Sequence, residues 1–349
     1  MNGRSCRVKP LAIKILTFTT LYPDSTRPTH GIFVENRLRH LLASGRVQSR
    51  VVAPVPWFPW KGNAFGKYAE YARVPEYEFH NGIEVIHPRY PLIPKFGMTS
   101  APLLMALGVK ESVRRLIAEG YDFDLIDAHY FYPDGVAAVI LARVLRKPVV
   151  ITARGTDLHL IPKFLLPRTI IKWAAANASG LITVCQALKN VLVQLKIPPD
   201  RITVLRNGVD LSLFKPPENR DVLRRDLGFR WSTLISVGSL IHLKRHDLAI
   251  RSLKELTDFE LVIIGEGPEK DKLVSLAKSL KLSERIRFLG KIDHHKLPMY
   301  YGAADAAILA SEREGWPNVL LESMACGTPV VGTKIWGIPE VIAAPEAGL

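Results

Sequence analysis

The chain is poor in the residues that identify several classes of protein. Its 349 residues include only three cysteines, Cys6, Cys185 and Cys326, which are far apart and form no Cys-x-x-Cys pair. An odd number of scattered cysteines argues against a disulfide framework, and the missing pair argues against a cysteine zinc site. The 24 glycines and 25 prolines follow no period, which excludes collagen-like and low-complexity chains.

Signals for membrane insertion and for nucleic-acid binding are also missing. The apolar stretch at residues 11–22 is interrupted by Lys14 and is shorter than the roughly 20 residues of a membrane-spanning helix. No small-residue cleavage site follows it, so we predict a buried first strand and a cytoplasmic protein. Zinc-finger spacing, an aromatic strand for RNA and dense Lys/Arg blocks are all missing, which argues against nucleic acid as a partner.

What the sequence does have is globular composition and a large positive charge. Hydrophobic residues make up 48% of the chain, charged residues 23%, and the formal net charge is +14. Such a charge attracts phosphate-bearing partners, including nucleotides and anionic lipid head groups, without choosing among them. The segment 110–116 has two interpretations: a helix packed on the sheet, or a basic amphipathic helix in peripheral contact with an anionic membrane.

Short apolar runs alternate with segments of helical period along the whole chain. Most of the runs are continuously apolar, which is typical of strands buried on both faces of a parallel sheet. The alternation predicts two Rossmann-like, doubly wound α/β domains that face each other across a cleft. The predicted strands are 13–18, 50–53, 83–86, 125–128, 149–152, 181–184, 202–205, 234–237, 261–264, 286–289, 306–309 and 330–332. The predicted helices include 33–43, 103–119, 135–145, 187–195, 270–280 and 319–325.

The domain boundary is predicted from turn residues. Residues 207–219 contain an Asn-Gly pair and the Lys-Pro-Pro sequence that begins at Lys215, and both interrupt regular structure. We therefore divide the chain into an N-terminal domain at 1–206, a linker at 207–219 and a C-terminal domain at 220–349. A second Asn-Gly pair, Asn81-Gly82, predicts a hairpin inside the first domain.

The strongest candidate for a binding site is the segment 314–322. It places an acidic, glycine-containing loop between a predicted strand and a helix that starts near Pro317, because proline is favoured in a first helical turn. The free backbone N–H groups of that turn can bind an anion or a sugar oxygen. Glu314 and Glu322 then lie about one helical turn apart and can each accept hydrogen bonds from vicinal hydroxyls. The alternative is a helix start that attracts acidic residues through its dipole.

The C-terminal half resembles family-4 retaining glycosyltransferases of the GT-B fold. Their donor-site motif resembles the segment that begins at Glu314 and continues through Glu322, residues 325–331 and 337–341. Further segments of the chain resemble their phosphate-binding strand and loop, next strand, interdomain turn and first-domain loops. These are 237–244, 261–268, 207–210, 30–34, 127–129 and 152–157.

The resemblance implies a role for each matching residue in the C-terminal half. Glu314 would hydrogen-bond the donor sugar, assisted by backbone groups of Gly315, Trp316 and Asn318, and Glu322 would bind the nucleotide ribose. Lys244 would neutralise the diphosphate leaving group as its charge grows. The family commonly has Arg where this chain has Ser239, and Gly where it has Arg245. Lys244, Arg245 or Arg206 would have to replace the hydrogen-bond donors of the missing guanidinium group.

In the first domain, four residues are candidates with two interpretations each. His129 follows a predicted strand, where it binds the donor sugar or is a buried histidine with satisfied hydrogen bonds. Arg154, where the family often has His, and Asp157 either contact the donor or form an ion pair within the loop. Gly31 allows the backbone to approach the donor phosphate closely, or is an ordinary turn glycine.

No metal site is predicted. Asp122 and Asp124 form an Asp-x-Asp sequence, which we interpret as a solvated strand entrance, and His294-His295 has no third ligand at a recognisable spacing. The only expected co-substrate is a nucleotide-diphosphate sugar. The resemblance also implies a further segment after Leu349, where family members continue.

The sequence therefore predicts a retaining glycosyltransferase of hexosyltransferase type, with catalytic candidates Glu314, Lys244 and His129. It would move a sugar from a nucleotide-diphosphate donor to a saccharide or lipid-linked acceptor, in surface polysaccharide biosynthesis. The alternatives are an epimerase or phosphorylase on the same fold, or a non-catalytic protein that binds sugar nucleotides.

Overall fold

A computed structural model describes residues 12–92, 97–344 and 348. The chain divides into two compact units. The first contains the described residues up to Val184 together with Lys189–Leu205, and the second contains Cys185–Leu188 and the described residues from Arg206 onward. The sequence placed 185–188 in the first domain, whereas the structure groups these residues with the second unit.

Short strands alternate with helices through both units. The strands of the first unit are β1 Ile13–Phe18, β2 Val47–Val52, β3 Val55–Pro56, β4 Tyr77–His80, β5 Ile83–Ile86, β6 Arg89–Tyr90, β7 Leu125–His129, β8 Val149–Ala153, β9 Gly180–Thr183 and β10 Ile202–Val204. Those of the second unit are β11 Ser232–Val237, β12 Phe259–Ile264, β13 Ile286–Gly290, β14 Ala306–Leu309 and β15 Val330–Gly332.

The helices lie between the strands, as a doubly wound fold requires. From the start of the described chain to residue 194 they are α1 Ile32–Ala43, α2 Lys67–Arg73, α3 Gly97–Ala118, α4 Val136–Leu145, α5 Thr156–His159, α6 Leu165–Asn177 and α7 Gln186–Gln194. The remaining helices are α8 Arg220–Asp226, α9 His246–Ser252, α10 Lys270–Ser279, α11 Leu297–Ala303, α12 Asn318–Ala325 and α13 Ile338–Val341.

Each unit is built on a parallel sheet. The first sheet has the strand order β10-β9-β8-β7-β1-β2-β5-β4, and the second has the order β13-β12-β11-β14-β15. All pairs are parallel except β4 with β5, the hairpin that Asn81-Gly82 predicts. Asn81 and Gly82 both have positive φ, 49° and 81°, which is the backbone that a two-residue hairpin turn needs. The predicted fold class, two Rossmann-like α/β domains, is confirmed.

Most of the elements that the sequence did not predict are short, and α6, with 13 residues, is the exception. The elements that were not predicted are strands β3, β4 and β6 and helices α2, α5, α6, α8, α9, α11 and α13. The two-residue strands β3 and β6 are too short to show a period, and α8, α9 and α11 span only seven residues each. A hydrophobic period of 3.6 residues is hard to recognise in fewer than about ten residues.

Apolar side chains fill the space between each sheet and its helices. In the first unit, Leu16, Phe18 and Ile126 of the central strands are completely buried, and in the second unit Ile235 and Val262 are equally buried. Cys185 and Cys326 are buried thiols without a disulfide. In the part of the chain that the structure describes, no helix is both long enough and apolar enough to cross a membrane.

Candidate active site

Two loops at the carboxyl edge of the second sheet bring Lys244 and Glu314 together. Strands β11 and β14 are parallel neighbours, so the loops that follow them lie at the same edge. The first loop ends in a single helical turn, His242–Lys244. The Lys244 ammonium lies 2.5 Å from Glu314 Oε1, and both side chains are mostly buried. The structure therefore joins two of the three catalytic candidates in one ion pair.

Glu322 lies within α12, with both of its oxygens hydrogen-bonded. Oε1 is 2.9 Å from His294 Nε2, and Oε2 accepts a hydrogen bond from the Tyr301 hydroxyl at 3.2 Å. Burial, followed by the Glu322 charge, raises the pKa of Tyr301 well above its usual value. From the sequence, His294 is considered only as a metal ligand, and Tyr301 is not among the predicted site residues. A carboxylate with four lone-pair positions can still accept further hydrogen bonds from a ligand.

Three contacts hold the loop between β14 and α12 and the first residue of that helix. The Trp316 indole N–H donates to the carbonyl oxygen of Asn207 at 3.0 Å, and the Asn207 amide donates to Asn318 Oδ1 at 3.3 Å. Gly315 lies against Gly337, where a Cβ atom would come within 2.1 Å of the Gly315 carbonyl oxygen. These contacts fix the loop that positions Glu314.

Ser239 and Arg245 lie near the same edge but differ in what their side chains contact. Ser239 follows the Gly238 turn at the end of β11, and its side chain is exposed. The Arg245 guanidinium pairs with Asp247 at 2.9 Å and with Glu312 at 2.9 Å. The hydrogen bonds that Arg245 donates to these two carboxylates raise its pKa above the usual value. Because two carboxylates already neutralise Arg245, the structure does not favour it as a substitute for the missing phosphate-binding arginine.

In the first unit, His129 lies in a buried polar cluster at the carboxyl end of β7. Its Nδ1 is 2.7 Å from Arg154 Nη2, and its Nε2 is 3.3 Å from Asp127 Oδ2. Arg37 Nη1 lies 3.0 Å from the same carboxylate oxygen. We refer to His129, Asp127, Arg37 and Arg154 as the His129 cluster.

Hydrogen bonding determines the protonation of the His129 ring. Arginine only donates, so Nδ1 accepts from Arg154 and the proton of the neutral ring is on Nε2. Nε2 lies 3.3 Å from both Asp127 Oδ2 and Arg37 Nη1. Burial lowers the pKa of His129 to about 4, and the Asp127 charge opposes that shift. Burial alone would raise the pKa of Asp127, but His129 and Arg37 hold that pKa well below its usual range. The imidazole is therefore neutral at physiological pH, with both nitrogens engaged.

Asp157 organises the loop that carries Arg154. Its carboxylate is completely buried and accepts hydrogen bonds from the backbone N–H groups of Phe131, Arg154 and Gly155 at 2.6, 3.1 and 2.6 Å. Burial lowers the pKa of Arg154 to about 9. The guanidinium also lies over the Phe33 ring, 5.3 Å from its centroid. Asp157 thus positions the Arg154 backbone, while the Arg154 side chain belongs to the His129 cluster.

Gly31 lies at the start of α1, where only glycine fits. Its φ is 69°, and a Cβ atom would come within 2.3 Å of the Leu21 carbonyl carbon and oxygen. The close approach in this structure is therefore to the chain's own Leu21 backbone, and contact with a donor phosphate stays a prediction.

Some polar residues near these sites are not among the site residues that the sequence predicts. Asp127 could have been found, since it is two positions before His129 on the same strand and therefore points to the same face. Arg37 lies 90 positions from Asp127 in sequence, and no local pattern links them.

Among the described residues, no group of three or more His, Cys, Asp or Glu side chains could hold a metal ion. Independence from metal stays a prediction.

Two protein-family models match adjacent parts of the chain. The model described as Glycosyltransferase Family 4 matches residues 38–213, just over half of the chain. The model described as Glycosyl transferases group 1 matches residues 220–349. The chain belongs to glycosyltransferase family 4, as the sequence motifs predicted.

The chain is also similar to individual relatives and solved structures. It is 28% identical over 335 residues to TuaC of Bacillus subtilis (strain 168), a glycosyltransferase assigned provisionally to teichuronic acid biosynthesis; the match covers 93% of this chain and 82% of TuaC. HepE of Anabaena, solved with UDP and glucose, superimposes with a TM-score of 0.68 at 22% identity, over 94% of this chain and 82% of HepE. Sucrose-phosphate synthase from Thermosynechococcus elongatus gives a TM-score of 0.75 at 18% identity, over 97% and 85% of the two chains. At these identities, the structural matches establish the GT-B fold alone.

Proposed function

We propose that this family-4 glycosyltransferase uses a nucleotide-diphosphate sugar as donor and transfers its hexose with retention of the anomeric configuration. The proposed acceptor is a saccharide or a lipid-linked saccharide, in surface polysaccharide biosynthesis. The observation that carries the proposal is the Lys244–Glu314 ion pair at the carboxyl edge of a parallel sheet, because that edge is where doubly wound folds bind nucleotides.

Lys244 provides the positive charge that the reaction needs. When the bond between sugar and diphosphate breaks, negative charge grows on the leaving phosphate, and a preorganised cation lowers the free energy of that transition state. Glu314 holds the ammonium in place at 2.5 Å. Its second carboxylate oxygen can accept hydrogen bonds from the sugar hydroxyls.

Glu322 is suited to the nucleotide ribose. Its carboxylate is rigid, because it lies on α12 and is bonded by His294 and Tyr301. A fixed, ionised acceptor favours two adjacent hydroxyl donors over a single one. The loop held by Trp316 and Asn318 lies between Glu314 and Glu322, and its backbone groups are proposed to contact the sugar.

The His129 cluster is proposed to contact the donor sugar, with a sugar hydroxyl replacing one of the present contacts of the uncharged imidazole. With its pKa lowered to about 4, His129 neither gains nor loses a proton near neutral pH. We assign no protein nucleophile. Retention then depends on the leaving phosphate accepting the proton of the attacking acceptor on the same face of the sugar.

The relatives support the choice of donor and acceptor class. The HepE structure contains UDP and glucose, and TuaC is assigned provisionally to teichuronic acid biosynthesis. Both are consistent with a nucleotide-activated sugar and a saccharide acceptor. Contact with an anionic membrane, which the charge of +14 favours, belongs to the same proposal.

The test is release of nucleoside diphosphate from a panel of nucleotide sugars, with soluble and lipid-linked saccharides as acceptors. Lys244→Met should lower kcat by about a hundredfold or more, the usual effect of removing one stabilising donor. Lys278→Met is the matched control, because Lys278 is an exposed lysine of the same unit and should leave kcat unchanged. Proton NMR of the product's anomeric signal tests retention.

Four outcomes would contradict this proposal. Turnover of the nucleotide sugar without acceptor would indicate an epimerase, and turnover that depends on inorganic phosphate would indicate a phosphorylase. Donor binding without any turnover would indicate a non-catalytic protein that binds sugar nucleotides. Equal kcat values for Lys244→Met and Lys278→Met would refute the role of Lys244.

A further inference from the structure

Three consecutive large apolar side chains are exposed at the start of α6. Phe164, Leu165 and Leu166 are 46%, 70% and 64% exposed. Single exposed apolar residues are common on soluble proteins, but a run of them is unfavourable in water unless something covers it. This run is therefore a candidate interaction surface.

Two more groups of exposed apolar residues lie in the same unit. On α3, Leu103 and Leu107 are 52% and 59% exposed and share one face of the helix, since they are four residues apart. In the segment after β3, Trp57 and Trp60 are 58% and 57% exposed. We name these residues together with Phe164–Leu166 the apolar rim.

The elements that carry the apolar rim contact one another. The Trp57 N–H donates to the Tyr90 carbonyl oxygen at 2.8 Å, which continues the pairing of β3 with β6. Strand β6 packs closely on α3, where a Cβ atom at Gly108 would come within 2.6 Å of the Arg89 carbonyl oxygen. Helix α3 in turn packs against α6. Helices α3 and α6 lead into the parallel strands β7 and β9, so both begin at the carboxyl edge of the first sheet.

The charge around the apolar rim is mainly positive. Each of its groups lies in a stretch of sequence without Asp or Glu, namely residues 36–69, 85–110 and 158–199, and the three stretches contain fourteen Lys and Arg residues. On α3, the residues that follow Leu103 and Leu107 on the same face are Lys110, Glu111 and Arg114, two basic residues and one acidic residue. Lys163 precedes the exposed run at 164–166, and Arg168 and Lys172 follow it.

The combination of exposed apolar and basic side chains indicates which partner covers the apolar rim. Leucine and tryptophan side chains flanked by lysine and arginine suit the boundary between lipid head groups and acyl chains, and each basic residue adds attraction to anionic lipid. A second copy of this chain would bring two positively charged faces together, which repel each other. The apolar residues of 110–116 are not available to lipid, because Val113 and Leu116 are buried.

We propose that the apolar rim docks the first unit on the surface of an anionic lipid bilayer. The leucine and tryptophan side chains enter the head-group region, and the surrounding lysines and arginines contact lipid phosphates. The inference extends the proposed function, since a lipid-linked acceptor is presented at such a surface, but its test requires no catalysis.

The experiment is flotation of the full chain with vesicles of phosphatidylcholine, either alone or mixed with phosphatidylglycerol. The wild type should float with the mixed vesicles and not with phosphatidylcholine alone. Leu165→Ser combined with Leu166→Ser, and separately Trp57→Ser combined with Trp60→Ser, should each lower vesicle binding by about tenfold. Lys163→Gln combined with Arg168→Gln should lower it by a similar factor, about tenfold.

Two controls separate lipid docking from general loss of surface hydrophobicity. Leu211→Ser removes a leucine that is 67% exposed in the second unit, and Phe79→Ser removes a phenylalanine that is 65% exposed on the edge strand β4. Both variants should float as the wild type does. All variants should keep the wild-type melting curve by circular dichroism and wild-type nucleotide release with a soluble acceptor, so that loss of docking is distinguished from loss of the proposed activity.

Three results would overturn the proposal. The first is a wild type that stays unbound with the mixed vesicles. The second is rim variants that float as the wild type does. The third is a wild-type dimer, measured by light scattering without vesicles, that the rim variants convert to a monomer, because the rim would then be a self-association surface.

Discussion

Asp134 gives the first unit a stability that falls as pH rises. Asp134 lies in the turn that follows β7, and its side chain is completely buried. One oxygen accepts the Thr20 backbone N–H at 2.5 Å, and the Thr20 hydroxyl donates to the same carboxylate. Burial, with a contribution from the Asp157 charge, raises the pKa of Asp134 from 3.8 to about 7. We predict that Asp134→Asn, which keeps the shape and removes the titration, abolishes this pH dependence.

The magnitude follows from proton linkage. Between the unfolded pKa of 3.8 and the folded pKa of about 7, the folded chain holds a proton that the unfolded chain has lost, so stability decreases with pH in this window. The stabilisation is complete below pH 3.8 and is lost by about pH 7. Each pH unit is worth about 1.4 kcal/mol. From about pH 5 to about pH 8 the wild type should therefore lose about 3 kcal/mol relative to Asp134→Asn.

The assay is urea unfolding of both proteins at the two pH values, combined with hydrogen exchange of the β1 and β7 amides to localise the effect to the first unit. Asp122→Asn is the control, because the Asp122 side chain is 66% exposed and its ion pair should contribute less than about 1 kcal/mol at either pH. A difference between wild type and Asp134→Asn that stays constant from pH 5 to pH 8, within about 0.5 kcal/mol, would refute the reasoning.

Two further predictions concern the candidate site. Gly31→Ala should destabilise the first unit by about 3 kcal/mol, because the new Cβ meets the Leu21 backbone at a positive φ. Gly45→Ala, at the nearly identical φ of 68° with open space around it, should cost only about 1 kcal/mol; equal losses in urea unfolding would contradict the close-approach argument. Glu322→Gln should weaken nucleoside diphosphate binding by about tenfold in calorimetric titration, while the exposed Glu284→Gln should not. Unchanged affinity in Glu322→Gln would remove that residue from the ribose site.

The sequence predicted the architecture well because the signal is local and repeated. Strands β1, β5, β14 and β15 were predicted with the bounds that the structure gives. Each is a short, mostly apolar segment in a chain that alternates strands with helices, and such a chain folds into parallel α/β sheets. The motif around Glu314 and Glu322 was equally visible, because a loop and the helix start that follows it are contiguous in sequence.

Contacts between distant segments could not be predicted in the same way. The sequence identified His129 but gave no indication that Arg37 and Arg154 enclose it, because these partners lie 92 and 25 positions away. It likewise offered no partner for His294, which was considered only as a metal ligand, whereas in the structure His294 Nε2 lies 2.9 Å from Glu322 Oε1. Such pairings depend on how helices and strands pack, and no residue spacing encodes them.

The sequence by itself therefore determined the fold class, the family and the acidic loop of the second unit, since each rests on local periodicity or a continuous motif. Only the tertiary structure decided the charge state of His129, the ion pair between Lys244 and Glu314, and the exposure of Phe164–Leu166. Burial and the approach of distant charges set these properties, and both arise when the chain has packed into its sheets.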